Sequence, residues 1–486
     1  MSIVVEKYTF DDVVLQPRMS ATIESRNDID LSAMLTTHIK IKTPLVSSPM
    51  DTVTEDKMAI IMARMGGVGI LHRYSSPEEQ ASWLQKVKRS QQFVVLDPFC
   101  VTQDMTVNDV CHKSKTTGIK SFLVTDNKKL VGIITERDIR FANKTDTVTS
   151  VMTTALKKII LETNDINDIY LANKDKLREI FHQLRVKKIP IVNSKDEILG
   201  LISSKDMVAT LEWPNMSLSR DDTLLCGAAI GIQDDDALRL ELLVKNNVDF
   251  ICVDTANGDQ PRVYDLIKKI RVTYPNLEII TGNIATYAAH LRCYQAGANA
   301  VRVGIGCGSA CTTRLVSGCG YPQLSAIMDT SAVYSSWEDN KDNRNPCPLI
   351  SDGGSRHLSG NMVKALMAGA STVMLGSTLA GTDESPGQIL VKNNKPVKIF
   401  RGMAGYGSNI SRDKFKAEKF TPEGVESTVE YRGSAKEILH KIIGGIKSGI
   451  SYCGGTDIVS ARSNAIFFSM TSNGQKESGV HDINEI

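Results

Sequence analysis

The feature that most constrains the fold is a series of eight short apolar segments, each rich in β-branched residues and ending in small or polar residues. They are PLVSSP at 44, GVGIL at 67, LCGAAIG at 225, FICVDT at 250, EIITGN at 278, AVRVGIG at 300, PLISDGG at 348 and TVMLGS at 372. Most precede a segment of helical periodicity, such as QPRVYDLIKKIRVTY or GNMVKALMAGA. Eight strand-then-helix units predict an α/β fold, a (β/α)8 TIM barrel. The alternative, a doubly wound open sheet, needs fewer units and no closure.

A long connection between the second and third predicted strands contains a repeat. The copies are SFLVTDNKKLVGIITERDI at 121 and KIPIVNSKDEILGLISSKDM at 188. Each predicts two strands around a polar turn, and two such units bury a joint face that neither buries alone. The insertion looks like a paired cystathionine-β-synthase-type (CBS, or Bateman) module. We therefore divide the chain into a catalytic barrel of residues 1–89 and 215–486, a first CBS motif at 90–148 and a second at 149–214.

Each copy of the repeat ends in a hydroxyl residue followed three positions later by an aspartate. The pairs are Thr135 with Asp138 and Ser203 with Asp206. The resemblance implies that these four residues bind the ribose of adenine or guanine nucleotides. The same spacing is also that of a helix N-cap, so Thr135 and Asp138 are equally explained as a cap of the following helix.

The charge balance and the termini narrow the class of protein. The formal charge is +2, from 57 basic and 55 acidic residues, which argues against a nucleic-acid or anionic-membrane partner. No apolar run approaches the roughly 18 residues of a membrane span. We see no signal-peptide pattern and no SKL-type peroxisomal signal. Ten cysteines without framework spacing fit reduced thiols, so we expect a cytoplasmic protein.

Glycine-rich loops follow the last two predicted strands, where barrels of this kind frequently bind phosphate. One such loop alone is better explained as a tight turn. Three loops that converge on one barrel face favour a phosphate site, because free backbone N–H groups there attract an anion. The predicted donors are Gly353, Gly354, Gly376, Ser377 and Ser309.

The stretch GIGCGSACTTR, residues 304–314, places Cys311 in a glycine-rich loop after the sixth strand. Backbone donors near a thiol favour its thiolate, so we predict that Cys311 is a nucleophile. Cys252 and Cys293 lie inside strand and helix patterns and are expected to be inert. Cys307 and Cys311 have no nearby histidine or CxxC partner, so no zinc site is predicted. The glycines also lack the G-x-G-x-x-G spacing of a dinucleotide fold.

Along nearly its whole length the chain resembles the inosine monophosphate (IMP) dehydrogenase and guanosine monophosphate (GMP) reductase family. The motifs are PLVSSPMDTVTE, GIGCGSACTTR, SDGG, VMLGS, RGM and PEGVE. In both enzymes the matching cysteine attacks purine C2 to form a thioimidate, and a nicotinamide cofactor takes or gives hydride there. The resemblance implies that Cys311 and Thr313 are catalytic. It implies substrate contacts at Ser48, Met50, Ser309, Asp352, Gly353, Gly354, Gly376, Ser377, Gly402, Met403, Glu423 and Gly424. It implies cofactor contacts at Asp254, Thr255, Ala256, Asn283, Arg302, Gly304 and Gly306.

Four places favour the reductase branch of this family. The strings ANG at 256 and CTTRLVSGCGYPQLSAI at 311 look like the reductase, and Phe400 stands where the dehydrogenase has a phosphate-binding tyrosine. The dehydrogenase flap carries an Arg-Tyr pair that activates water, whereas Lys414 and Phe415 stand here. An ammonium followed by a phenyl ring is a poor base for hydrolysis of the thioimidate. We therefore expect NADPH-dependent reduction of GMP to IMP and ammonia, a purine salvage reaction.

Two departures from the reductase pattern keep alternatives open. Reductases pair the threonine with a glutamate, but Tyr406 stands at the matching position, which leaves Glu418 as a candidate partner. The inserted module and SSPMDTVTE look more like the dehydrogenase. The first alternative is therefore an IMP dehydrogenase that forms xanthosine monophosphate with NAD, and a further one is a protein that acts mainly as a purine-nucleotide sensor.

The resemblance also implies a bound ion and an assembly. Family members bind potassium through backbone carbonyls of the cysteine loop, which match Gly304, Gly306 and Cys311. They form homotetramers, and octamers through the nucleotide module. We expect a homotetramer here.

Overall fold

A computed structural model of the chain describes residues 4–20, 24–90, 94–95, 98–161, 174–204, 212–233, 236–335, 347–403, 405 and 422–479. The chain divides into two compact units, one of residues 1–90 and 215–486 and the other of residues 91–214. Within the described ranges, none of the helices combines the length and the apolar character that a membrane crossing requires.

The first unit is built on a closed barrel of eight parallel strands, which confirms the predicted (β/α)8 fold. The strands are β1 (Leu45–Ser47), β2 (Val68–Leu71), β3 (Cys226–Ile230), β4 (Phe250–Asp254), β5 (Glu278–Ile284), β6 (Ala300–Val303), β7 (Leu349–Asp352) and β8 (Thr372–Leu375). Each strand pairs with the next along the chain, and β8 closes onto β1. Although about 150 residues separate them in sequence, β2 pairs with β3, with Cys226 opposite Gly69.

Helices surround the barrel, and local sequence sets their ends. They are α1 (Asp56–Arg64), α2 (Pro77–Ser90), α3 (Asp236–Lys245), α4 (Pro261–Thr273), α5 (Tyr287–Ala296), α6 (Gln323–Ser335), α7 (Ser359–Met367) and α8 (Ala435–Tyr452). Pro261 starts α4 at a position where its missing N–H is not needed. The Thr286 hydroxyl caps α5 by accepting from the Ala289 N–H, and Gly297 ends the helix with a φ of 104°.

The barrel interior is packed with side chains, so it offers no channel through the centre. Phe250 is fully buried, and its ring covers Gly227 so closely that a Cβ there would lie 2.1 Å from it. Ile280, Ile350 and Met374 belong to the same buried cluster. Binding space in this unit is therefore expected at the strand ends, as in other barrels of this kind.

Further elements decorate the barrel. Two-stranded sheets join Val13–Leu15 to Phe467–Ser469 and Ala33–Met34 to Lys40–Ile41, and a three-stranded sheet contains Leu390–Lys392, Lys395–Arg401 and Glu426–Glu430. Short helices are Phe10–Asp12, Arg26–Asp28, Thr313–Ser317, Ser377–Ala380, Ile458–Asn464 and Ser472–Glu477. The three-stranded sheet matters most for the site, because its last two strands flank Gly402, Met403 and Glu423.

The second unit contains two copies of one strand arrangement. In the first, Ser121–Asp126 pairs antiparallel with Lys129–Thr135 and parallel with Cys100–Thr102. In the second, Lys188–Asn193 pairs antiparallel with Ile198–Ser203 and parallel with Ile159–Leu161, and Val94–Val95 joins the edge. Its helices are Val107–Thr117, Glu136–Arg140, Val148–Val151 and Lys174–Leu184. A shared apolar cluster of Leu123, Leu130, Val192 and Leu201 connects the copies.

Candidate active site

A buried ion network lies where β4, β6 and β7 end. Arg302 of β6 is 5% exposed and donates to Asp254 Oδ1 at 2.6 Å and to Asp352 Oδ2 at 2.8 Å. Asn283 donates to the same Asp352 oxygen at 2.9 Å. Burial opposes the charge of Arg302, but the neighbouring Cys252, Asp352 and Asp254 hold its pKa well above the ordinary value. Arg302 therefore stays cationic and joins three strand ends.

The cysteine loop begins above this network with a glycine that no other residue can replace. Gly304 has a φ of 150°, and a Cβ there would lie 2.1 Å from the Asp352 carbonyl oxygen. Its own carbonyl accepts a hydrogen bond of 2.8 Å from the Asn283 amide. The loop therefore leaves β6 pressed against the end of β7, as close backbone approach at glycine allows.

Cys311 is half-buried, and its thiol lies 3.1 Å from the Thr313 hydroxyl at the start of the short helix Thr313–Ser317. The segment 423–425 holds this part of the loop from the other side. The Thr312 N–H donates to the Glu423 carbonyl at 2.9 Å, and the Val425 N–H donates to the Ala310 carbonyl at 3.1 Å. The sulfur and the hydroxyl are thus held within reach of one another on a braced loop.

The thiol of Cys307, four residues earlier, is held by hydrogen bonds. It donates to Gln323 Oε1 at 3.1 Å and to the Asp352 carbonyl at 3.2 Å. Removal of the sulfur from solvent, together with the Asp352 charge, raises the pKa of Cys307 to about 12. A thiol that stays protonated is a poor nucleophile. The contacts therefore distinguish Cys307 from Cys311, the predicted nucleophile.

The predicted phosphate loops converge. The Ser309 hydroxyl donates to the Ser377 hydroxyl at 2.9 Å, which joins the cysteine loop to the loop after β8. Gly353 and Gly354 follow β7 with φ values of 93° and 79°, in the left-handed region that favours glycine. Met50 lies against Gly376, with its sulfur 3.4 Å from where a Cβ would be. The cradle is therefore built from backbone amides and hydroxyls.

Replacing Ser377 by alanine tests this cradle. We expect the affinity for a purine nucleoside monophosphate to fall about five- to tenfold, because one hydroxyl donor is lost and Ser309 loses its partner. The affinity for the corresponding nucleoside, which has no phosphate, should not change. Titration calorimetry with both ligands makes the comparison, and an equal loss for both would contradict a phosphate role.

An ion pair joins the segments that carry Met50 and Met403. Arg401 Nε donates to Asp51 Oδ2 at 2.8 Å, which ties the loop after β1 to the end of strand Lys395–Arg401. This contact brings Met50 and Met403 to the same pocket. The Tyr74 hydroxyl adds a hydrogen bond of 3.3 Å to the Met403 carbonyl.

These loops enclose a pocket of about 720 Å³ at the strand ends. Every residue predicted for the barrel site lines it except Gly424. The backbone of Gly424 pairs with Cys311 and Gly405, and a substrate contact of Gly424 stays a prediction. A second pocket of about 390 Å³ adjoins the first and shares Ala256, Ile305, Thr313 and Glu423 with it.

Sequence reasoning missed part of the lining. The additional residues include Arg73, Tyr74, Ser355, Arg356, His357 and Thr378. Arg73 lies beside Asp254, with Nε 3.7 Å from Oδ2. Arg73 and Tyr74 follow His72 directly after β2, and their position at a strand end is the signal that marks them. The others continue the phosphate loops beyond their glycines.

The predicted nucleotide residues of the second unit are only partly described. Both the N–H and the hydroxyl of Thr135 donate to Asp138 Oδ2 at 2.7 Å, which caps the helix Glu136–Arg140. Ser203 ends a strand. Asp206 lies outside the described residues, as do Tyr406, Lys414, Phe415 and Glu418 of the first unit. The capping explanation of Thr135 and Asp138 is thus the one that the contacts support, and nucleotide binding there stays a prediction.

The potassium site also stays a prediction. Of its three carbonyl oxygens, that of Gly304 already accepts the hydrogen bond from Asn283. No cluster of three or more histidine, cysteine, aspartate or glutamate side chains with metal-binding geometry occurs among the described residues.

Comparisons with known proteins support one family. Residues 7–481 match the family model described as "IMP dehydrogenase / GMP reductase domain". Inosine-5'-monophosphate dehydrogenase of Nitrosopumilus maritimus is 40% identical over 488 residues, covering 98% of each chain. GMP reductase of Leishmania major is 39% identical over 497 residues, covering 99% of this chain and 98% of its own.

Solved structures agree with this. A GMP reductase variant from Trypanosoma brucei in complex with guanosine monophosphate is 36% identical, with a TM-score of 0.90 and 99% of each chain covered. GMP reductase from the same organism in complex with guanosine triphosphate is 32% identical, with a TM-score of 0.80, 96% of this chain and 99% of that one.

Proposed function

Because the chain belongs to the IMP dehydrogenase/GMP reductase family, an oxidoreductase family, we propose that it is a GMP reductase. The reaction would convert GMP and NADPH to IMP, ammonia and NADP⁺. The observation that carries the choice of direction is the pair Lys414 and Phe415, which replaces the Arg-Tyr pair of the dehydrogenase flap. Without a water-activating base, the covalent adduct on cysteine would be resolved by hydride and not by hydrolysis.

The full-length relatives support this direction against one objection from the sequence. The inserted second unit resembles the dehydrogenase, but the Leishmania GMP reductase aligns with 99% of this chain. The similarity to the Trypanosoma GMP reductase bound to guanosine monophosphate likewise covers 99% of the chain. A reductase of this length is therefore compatible with the insertion.

In the first half of the proposed reaction, the Cys311 sulfur bonds to purine C2 and the 2-amino group leaves as ammonia. The phosphate would be held by the cradle around Ser309 and Ser377, and the base would lie between Met50 and Met403. Thr313, whose hydroxyl accepts from the Cys311 thiol at 3.1 Å, would pass the thiol proton on to the leaving nitrogen. Binding at both ends of the nucleotide would keep C2 in line with the thiolate.

In the second half, the carbon–sulfur bond breaks and the thiolate returns. The nicotinamide cofactor would supply the hydride that C2 receives. The adjoining 390 Å³ pocket fits this group, since Thr313 lines it together with Ala256 and Asn257, the second and third residues after Asp254. Glu423, which lines both pockets, would face the base and the cofactor.

One spectrophotometric comparison tests the direction. Purified protein is mixed with GMP and NADPH, or with IMP and NAD, and the near-ultraviolet absorbance of the reduced nicotinamide is followed. We expect a fall in the first mixture and no change in the second. A rise in the second with no fall in the first would make the protein an IMP dehydrogenase. Replacing NADPH by NADH in the first mixture tests the cofactor preference.

We further propose that the second unit binds purine nucleotides and that the chain forms a homotetramer. Support for the first comes from the repeated strand arrangement and from the guanosine triphosphate complex of the Trypanosoma GMP reductase. Support for the homotetramer comes from the family resemblance alone.

A further inference from the structure

Tyr321 forms one wall of the smaller pocket. Ala256 and Asn257 also line this pocket, and Thr313 and Glu423 line both this pocket and the larger one. A monophosphate that fills the larger pocket leaves this space for the hydride donor. Tyr321 therefore lies beside the expected dinucleotide, in a pocket whose lining does not include Ser309 or Ser377 of the cradle.

Both ends of the Tyr321 backbone are anchored. Its N–H donates to the Ile305 carbonyl at 3.1 Å, and its carbonyl accepts from the Arg314 guanidinium. These bonds fix the main chain, but they leave the ring free to rotate about its side-chain torsions. A separate contact is needed to hold the ring as a wall.

That contact comes from α6 and the N-terminal segment. The Tyr321 hydroxyl donates to Asp329 Oδ2, and Lys7 Nζ donates to the same oxygen at 2.7 Å. The Lys7 ammonium also lies 5.4 Å from the centroid of the Tyr321 ring. Next to Lys7, the N–H of Tyr8 donates to the Ser325 hydroxyl at 2.8 Å and its carbonyl accepts from the Ser325 N–H at 3.1 Å.

We propose that Asp329 and Lys7 are positioning residues that hold the Tyr321 ring against the dinucleotide, so that these three residues set the affinity for the nicotinamide cofactor. The proposal rests on the proposed function in one respect, namely that the smaller pocket receives the dinucleotide. Asp329 and Lys7 act through Tyr321 and touch neither substrate nor cofactor.

Stability does not account for this cluster. The side chains of Lys7 and Asp329 are 31% and 37% exposed, and such surface pairs contribute little to folding. Desolvation and the bond to Asp329 raise the pKa of the Tyr321 phenol, so the hydroxyl remains a donor at neutral pH. The main effect of the cluster is therefore to orient the Tyr321 side chain at the smaller pocket.

Five variants and a control test the proposal by steady-state kinetics with NADPH and GMP. We expect Tyr321→Phe and Asp329→Ala each to raise the KM for NADPH about five- to tenfold, with kcat and the KM for GMP within about twofold of wild type. The double variant should be no worse than either single variant, since both remove one interaction. Lys7→Met should give a smaller increase, and Lys7→Arg should restore the wild-type value.

The control is Lys86→Met. It removes a comparable surface pair, between Lys86 on α2 and Asp56 on α1, and should change none of these constants.

Two results would overturn the proposal. One is an unchanged KM for NADPH in Tyr321→Phe and Asp329→Ala. The other is an equal rise in the KM for GMP, which would indicate a general loosening of the loop. Failure of the proposed function appears separately, as wild-type protein that does not oxidise NADPH with GMP. In that case the same variants are assayed with IMP and NAD, and the proposal is judged on the KM for NAD.

Discussion

Replacing Cys311 by alanine is expected to lower kcat by at least about 10⁴-fold while leaving the binding of the monophosphate within about threefold of wild type. The sulfur is the atom that would bond to purine C2, and no other thiol in the described part of the loop can take its place. Cys307 is held by Gln323 and by the Asp352 carbonyl, and its pKa is raised to about 12. The phosphate cradle contains no part of the cysteine side chain, so binding should survive.

Turnover is measured by the absorbance of the reduced nicotinamide, and binding of GMP by titration calorimetry. The matched control is Cys111→Ala, which removes a half-buried thiol from the second unit and should leave kcat unchanged. Residual turnover of more than a few per cent in the Cys311 variant would exclude a covalent mechanism. Loss of GMP binding with retained folding would instead place the sulfur in substrate recognition.

The sequence could predict the barrel because each strand of a packed barrel leaves a short apolar run in the chain. Seven of the eight predicted runs contain the observed strand, and the eighth, EIITGN at 278, stops one residue before β5 ends at Ile284. The segments at 260 and 360 form α4 and α7. The polar residues after those runs meet at one end because parallel strands in a barrel share their direction. The same logic places Ser309, Ser377 and Gly353 in one pocket.

The pairing of charges across the strand ends could not be predicted. Arg302 and Asp254 stand on β6 and β4, which are not neighbours, and their contact depends on how the strands are staggered around the barrel. Stagger is set by packing of the whole interior, including the ring of Phe250 over Gly227.

Loss of a buried charge is expected to lower the stability of this protein far more than loss of an exposed one. Arg302→Met is expected to destabilise the first unit by about 3–5 kcal/mol, because Asp254 and Asp352 would remain at the strand ends without their shared cation.

Arg292→Met provides a matched control. Arg292 donates to both carboxylate oxygens of Asp259 at 2.9 and 2.6 Å, so its hydrogen bonds resemble those of Arg302 in length. Its side chain is 47% exposed, so the expected loss is no more than about 1 kcal/mol.

Thermal and urea unfolding of the full chain compares the two variants, and a compensating change separates the physical causes. If unpaired carboxylates cause the loss, Asp352→Asn in the Arg302→Met background should recover part of the stability, because it removes one uncompensated charge. If lost packing causes it, the second substitution should bring no recovery. Equal destabilisation by Arg302→Met and Arg292→Met would mean that water reaches the network, and burial would then not be what keeps these strand ends together. The expected contrast follows from burial, since the two arginines make hydrogen bonds of similar length.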